Sequence, residues 1–393
     1  MDIHAVRVDT LLTRTNRAPG SLPDVAPALH QTATFRAADD ASFLEMASTP
    51  RHNSYYTRDG NPTIADAESL IAALEGAASG LLTASGMGAM STAVLGLVQQ
   101  GDHVVAQRTH YMGTTQLLGE LLPRFGVEVS VVEQTDLGAF EAAMTAKTRL
   151  VVVETPANPL LTLTDLSRVA KLARRRCALT LCDNTLGTPV NQQPITLGID
   201  LVVHSATKYL GGHHDLMAGA IVGARALIDR IWRSHVILGS VADPFAGWLL
   251  TRGLRTLALR VQRQNQTALR LAQHLAAHEK IARVHYPGLS SHPQHALARR
   301  QMRGGFGGLL SFELRGGFEA GNAFVNAMRL PARAVSFGGF ESLATQPAAM
   351  WAGSIGDGAA EAAGIAPGLI RFAVGLEHPD DLLADLDRTL ALV

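Results

Sequence analysis

The stretch Leu201-Val-Val-His-Ser-Ala-Thr-Lys-Tyr-Leu-Gly-Gly212 constrains the chain more than any other. Leu201 to Val203 is an apolar run that reads as the end of a buried strand. Ser205, Thr207 and Lys208 follow it closely, and Gly211-Gly212 lets the backbone turn away. Two small hydroxyls and an amine at a strand end suit a phosphate held beside a reactive lysine. On its own, a lysine is more often a solvated surface residue. Ser205-x-x-Lys208 also matches the nucleophile motif of penicillin-recognising enzymes, but that chemistry needs Ser-Asp-Asn and Lys-Thr-Gly elsewhere, and neither occurs.

A second signal lies upstream. Ala178-Leu-Thr-Leu-Cys-Asp183-Asn184-Thr185 reads as another buried strand, this one ending in a carboxylate. Neighbouring strands would bring an acid and an amine to one sheet edge, where open α/β sheets bind ligands. A lysine that forms a Schiff base and an acid that pairs with a pyridinium nitrogen are a protein's two main handles on pyridoxal phosphate. A lone Asp183 reads otherwise as a turn or helix-cap residue.

Asp183-Asn-Thr, Ser205-Ala-Thr-Lys208-Tyr and the later Glu341-Ser-Leu resemble the Cys/Met-metabolism pyridoxal-phosphate enzymes. That family includes cystathionine γ-synthase, the cystathionine lyases and methionine γ-lyase. The resemblance runs from about Tyr55 to Leu386. It implies an α/β fold of fold type I, aspartate-aminotransferase-like. A large domain would carry a mostly parallel sheet, and a smaller α+β domain would follow at the C-terminus. It also implies a homotetramer built as a dimer of dimers, with shared active sites.

Composition agrees with such a protein. A chain of 393 residues is long enough for two domains with full cores. With 34 basic and 34 acidic residues, charge gives no case for nucleic acid or an acidic membrane surface. Cys177 and Cys182 form no Cys-x-x-Cys pair, so a disulfide scaffold is not expected and a reducing cytoplasm fits. No apolar run approaches the length of a membrane span, and the N-terminus lacks the form of a secretion signal. A hydrophobic content of 47% suits buried parallel strands and a large subunit interface.

Along the chain, residues 1–60 read as an extended arm broken by Pro19, Pro23 and Pro27. Residues 61–256 read as the large cofactor domain and 257–393 as the smaller substrate domain. Alternation of short strands (His103–Gln107, Val127–Val132, Leu150–Val153, Ala218–Val222) with helices such as Asp165–Arg176 argues for the parallel sheet. Ala84-Ser-Gly86-Met87-Gly88 opens a helix expected to run to about Gln99, and small residues there expose backbone amides to an anion. Gly86-x-Gly88 resembles the start of a dinucleotide fingerprint. The third glycine position holds Ser91, however, and no clear strand precedes it. His213-His214-Asp215 reads as a turn or site lining rather than as metal ligands, and no metal is expected.

The family resemblance assigns further roles. Tyr56 and Arg58 would bind the cofactor phosphate of the neighbouring subunit, a task that suits the bidentate fork of arginine. The amides of Gly86 and Met87, with Ser205 and Thr207, would hold the phosphate of their own subunit. Tyr111 would stack on the pyridine and help activate the leaving group, and Asn158 would lie near the ring hydroxyl. Arg371 and Ser336 would fix the substrate carboxylate; an arginine in an apolar strand needs such a partner to offset burial. Lys208 would carry the cofactor and move protons, and Asp183 would keep the ring nitrogen protonated.

Among members, the motifs Ser85-Gly-Met-Gly-Ala, Glu154-Thr-Pro-Ala-Asn-Pro and Arg333-Ala-Val-Ser most resemble methionine γ-lyase. The implied reaction is γ-elimination on a γ-substituted L-amino acid, giving a 2-oxo acid and ammonia. The alternatives are γ-replacement on an O-acylhomoserine and a cystathionine γ-lyase activity. Val335 stands where γ-type cystathionine enzymes usually carry a glutamate that meets a distal ammonium. Gly113 stands where methionine γ-lyase usually has a cysteine, and is expected to leave open space there.

Overall fold

The computed structural model describes residues 7–13, 25–354, 359–362 and 364–393. It divides into two compact units. The first takes the described residues of Met1–Glu154, Thr164–Thr185 and Gln193–Leu257, and the second Thr155–Leu163, Leu186–Gln192 and Ala258–Val393.

The first unit is built on a seven-stranded sheet. Its strands are β1 Ser79–Thr83, β2 His103–Gln107, β3 Glu128–Val132, β4 Thr148–Glu154, β5 Leu179–Asp183, β6 Leu201–Ser205 and β7 Gly219–Gly223. Their order is β1-β7-β6-β5-β4-β2-β3. β6, β5, β4, β2 and β3 run parallel, while β7 is antiparallel to both β6 and β1. Runs such as Leu-Val-Val in β6 are apolar at successive positions because both sheet faces are covered. On one face Val104, Val152, Leu181, Leu201, Val203 and Ile221 pack against Ala89, Met90 and Val94 of the helix Gly86–Leu95 and against Ile228 and Ile231 of the helix Arg225–Leu238. On the other, the helix Pro62–Glu75 lies over β1 and β7.

A buried polar knot ties that second face together. Glu75 Oε1 accepts hydrogen bonds from Asn184 Nδ2 at 2.7 Å and from His204 Nε2 at 2.7 Å. Side chains alternate across a strand, so His204 points away from the face shared by Val203 and Ser205. Glu75 is fully buried and is the last residue of its helix.

Sequence and structure differ at the N-terminal side. β1 directly precedes the helix Gly86–Leu95, where no strand was expected. Ser-Gly-Leu-Leu-Thr is short and contains a glycine, so it carries little strand signal of its own. The helix stops at Leu95 rather than near Gln99. Pro19 and Pro23 lie outside the described residues. The described remainder of the arm is not simply extended: Asp39 caps a helix, Asp40–Ser48, by accepting from Ser42 N.

The second unit centres on an antiparallel four-stranded sheet in the order β10-β11-β9-β8. Its strands are β8 Ile281–His285, β9 Leu309–Leu314, β10 Leu343–Thr345 and β11 Leu369–Ala373. The helices Leu257–Ala276, Gly317–Ala327 and Pro379–Ala391 accompany them.

Candidate active site

Parallel strands end at one edge, and the first unit gathers its reactive side chains there. Glu154 of β4 pairs in register with Asp183 of β5, and Asp183 with Val203 of β6. Ser205 closes β6, and Thr207 and Lys208 follow in the next turn. That turn is closed by Lys208 N donating to Ser205 O at 3.1 Å and Gly212 N donating to Lys208 O at 2.8 Å. Thr207 Oγ1 accepts from Ala218 N at 3.1 Å, so its hydroxyl is engaged with the backbone leading to β7.

Asp183 is held by its own neighbours. Oδ1 accepts from Thr185 N at 2.9 Å and Thr185 Oγ1 at 2.5 Å, while Thr185 Oγ1 also accepts from Ser205 N at 2.8 Å. One threonine thus ties the acid to the strand that leads to the lysine. Burial pushes the Asp183 pKa above the usual carboxylate range, against the lowering effects of Thr185 and of His204 behind the sheet. A carboxylate in that setting gains from a cation placed beside it.

The helix Gly86–Leu95 brings its N-terminus to the same edge. Ser85 Oγ accepts from Gly88 N at 3.0 Å and Ser85 O from Ala89 N at 3.0 Å, which leaves the Gly86 and Met87 amides in the open first turn. A Cβ on Gly86 would stand 2.7 Å from Ser205 Cβ and 2.9 Å from Ser205 Cα. Only glycine allows the helix to come this close to the end of β6.

Tyr111 follows β2, with its backbone N–H donating to Glu154 Oε2 at 2.6 Å, and the residue is 52% exposed. The space expected at Gly113 is not there. A Cβ on Gly113 would meet Met87 Sδ at 2.8 Å and Tyr111 Cε1 at 2.9 Å. Met87 and the tyrosine ring fill the room that a missing side chain would leave. Next to Tyr111, His110 is buried, and loss of solvent lowers its pKa to about 3, which keeps it neutral. Nothing in the sequence marks this residue out.

Tyr56 and Arg58 form a separate group in the first unit. The Arg58 guanidinium stands over the Tyr56 ring at 5.1 Å from its centroid. No carboxylate or hydrogen-bond acceptor among the described residues engages the Arg58 side chain. A cation left in that state suits an anion supplied from outside.

The remaining residues belong to the second unit. Arg371 lies buried in β11, and its Nη2 donates to Ser336 O at 3.0 Å. Ser336 has φ of +91°, a strained conformation outside glycine, and it turns the backbone carbonyl toward the guanidinium. Val335 beside it is 65% exposed. Asn158 sits half-buried in the segment Thr155–Leu163.

A family model for Cys/Met metabolism pyridoxal-phosphate-dependent enzymes matches residues 9–391. L-methionine gamma-lyase of Pseudomonas putida is 44% identical over 368 residues, covering 93% of this chain and 92% of that protein. Chloroplastic cystathionine gamma-synthase 1 of Nicotiana tabacum is also 44% identical, over 351 residues, covering 89% of this chain; the chain spans 65% of that longer protein. The crystal structure of cystathionine gamma-lyase from Lactobacillus plantarum complexed with L-serine superposes with a TM-score of 0.91 at 37% identity, covering 98% of this chain and 99% of that one.

Proposed function

We propose that this chain, which belongs to the Cys/Met metabolism family of pyridoxal-phosphate-dependent enzymes, is a lyase that eliminates the γ-substituent of an L-amino acid. The products would be a 2-oxo acid, ammonia and the leaving group. The carrying observation is the carboxyl edge of the first unit, where Asp183 and the Lys208 turn end adjacent strands and share Thr185.

Pyridoxal phosphate is the cofactor of this family, and the edge suits it. A carboxylate whose pKa is raised by burial is matched by a protonated pyridine nitrogen. The Gly86 and Met87 amides at a helix N-terminus, with Ser205 close by, match a phosphate. When bound, the cofactor supplies an electron sink for charge developing at the substrate Cα. Lys208 Nζ would hold the cofactor and would carry protons to and from the substrate carbons. Asp183 keeps the ring nitrogen protonated. Tyr111 delivers a proton to the departing γ-group. Arg371 and Ser336 hold the substrate carboxylate, and Asn158 lies near the ring hydroxyl. Tyr56 and Arg58 serve the phosphate of a neighbouring subunit, within a tetramer of two dimers in the cytoplasm.

The test is a product assay on methionine, homocysteine, cystathionine, cysteine and acylated homoserines. Release of 2-oxobutanoate without added thiol is expected. Strict dependence on a thiol would replace elimination by γ-replacement. The tobacco synthase, as similar to this chain as the lyase from P. putida, favours that second reading.

Two substitutions probe the details. Gly86→Ala places a methyl group 2.7 Å from Ser205 Cβ and pushes the helix N-terminus off the phosphate. Cofactor affinity should fall at least about tenfold, the effect of losing one charged hydrogen bond, and titration of the apoprotein measures it. Val335→Glu introduces the distal carboxylate that the exposed valine lacks. The ratio of kcat/KM for cystathionine to that for methionine should rise about 5- to 150-fold, equivalent to roughly 1–3 kcal/mol. An unchanged ratio would show that position 335 does not read the distal group.

A further inference from the structure

The Tyr56–Arg58 segment is clamped to the first unit at both ends. At one end stands Arg51, with a left-handed φ of +59° and a side chain 18% exposed. Its Nη1 donates to Ser79 Oγ at 2.9 Å and Asp229 Oδ1 at 3.3 Å. Its Nη2 donates to Gly80 O at 2.5 Å and Glu68 Oε2 at 3.3 Å. At the other end Trp232 Nε1 donates to Asp59 O at 3.1 Å. Asp229 and Trp232 are one turn apart on the helix Arg225–Leu238, so a single helix receives both ends. Between them Thr57 N donates to Ala33 O at 2.9 Å, and Thr57 Oγ1 accepts from Asn61 Nδ2 at 3.0 Å.

The place of this clamp follows from the sheet. β1 is the edge strand: β7 pairs it along its length on one side, and on the other a single bridge joins its last residue, Thr83, to Val241. An unpaired edge exposes backbone groups that need partners. Arg51 satisfies Gly80 O, and Glu68 Oε1 accepts from Leu82 N at 2.8 Å. The ion pair Arg51–Glu68 thus stands where the next strand would be. Only a planar fork of donors reaches a carbonyl, a hydroxyl and two carboxylates together, and lysine does not.

We propose that Arg51 is a positioning residue for the cofactor phosphate of the neighbouring subunit, because its guanidinium fixes the strap on the sheet edge and so sets where Tyr56 and Arg58 are presented. This rests on the reading that active sites are shared between subunits. Arg51 itself need not touch the phosphate. Its loss frees one end of the strap and leaves Glu68 without its cation.

Two measurements on the holoenzyme test it. The first is the dissociation constant for pyridoxal phosphate in Arg51→Ala, Arg51→Lys and Trp232→Phe. About a tenfold rise is expected for Arg51→Ala, with turnover largely recovered at saturating cofactor, and a smaller rise for the two milder variants. The second is subunit exchange assayed at limiting cofactor. Arg51→Ala mixed with Lys208→Ala should regain activity, because a hybrid holds one site with an intact lysine and an intact strap. Arg51→Ala mixed with Arg58→Ala should regain none, because both lesions lie on the same strap. Regain in that mixture, or unchanged cofactor affinity in Arg51→Ala, overturns the proposal. Should Arg51→Ala fail to fold, wild-type affinity in both Arg51→Lys and Trp232→Phe overturns it instead. The control is Arg58→Ala mixed with Lys208→Ala. If that pair regains nothing under conditions of proven exchange, the shared-site reading falls, and this inference with it.

Discussion

Lys208→Ala is expected to lower turnover by at least about 10⁴-fold, the upper range for loss of a positioned acid–base group, with the covalent hold on the cofactor lost as well. The turn after β6 is closed by backbone hydrogen bonds at Lys208 N and Lys208 O, which alanine keeps. The fold should therefore survive, and the thermal midpoint should stay close to that of the parent. Steady-state 2-oxo acid release measures the loss. Borohydride treatment followed by mass analysis gives a second readout: the parent should retain the cofactor mass and the variant should not. Substantial remaining turnover would remove Lys208 from the chemistry and leave the motif a structural turn.

The second large effect is expected at Asp183. Asparagine is nearly isosteric, and its amide oxygen can still accept from Thr185 N and Thr185 Oγ1, the two bonds that hold Oδ1 in place. What it lacks is the charge. Asp183→Asn should therefore keep the geometry and lose the electrostatic support of a protonated ring nitrogen. A loss in kcat/KM of about 10²–10³-fold follows, on the scale of one preorganised electrostatic contact in a buried site. Asp183→Glu should recover part of it. The measurement is kcat/KM on the best substrate with cofactor saturating. An equal loss in both variants would point to packing rather than charge.

Some of this was legible in the chain and some was not, for physical reasons. β5 and β6 are apolar runs ended by Asp183 and Ser205, so strand, edge and chemistry are written in consecutive residues. β1 was missed because it is short, contains Gly80 and gains its edge partners from Arg51 and Glu68, far from it in sequence. No motif marks Arg51, since its role depends on groups from a helix, a strand and another helix. Gly113 gave the opposite error. A missing side chain reads as space, but Met87 comes from a different helix to fill it. His110 and Glu75 carry no motif, and only burial makes them notable.

The knot under the sheet carries one more consequence. Glu75 grips Asn184, just beyond β5, and His204, within β6, through the same oxygen. On the opposite face Thr185 joins Asp183 to Ser205 N. Two strand ends bound above and below behave mechanically as one part. The acid and the turn that bears the amine are therefore cross-braced on both faces of the sheet, so widening the gap between them requires breaking these hydrogen bonds.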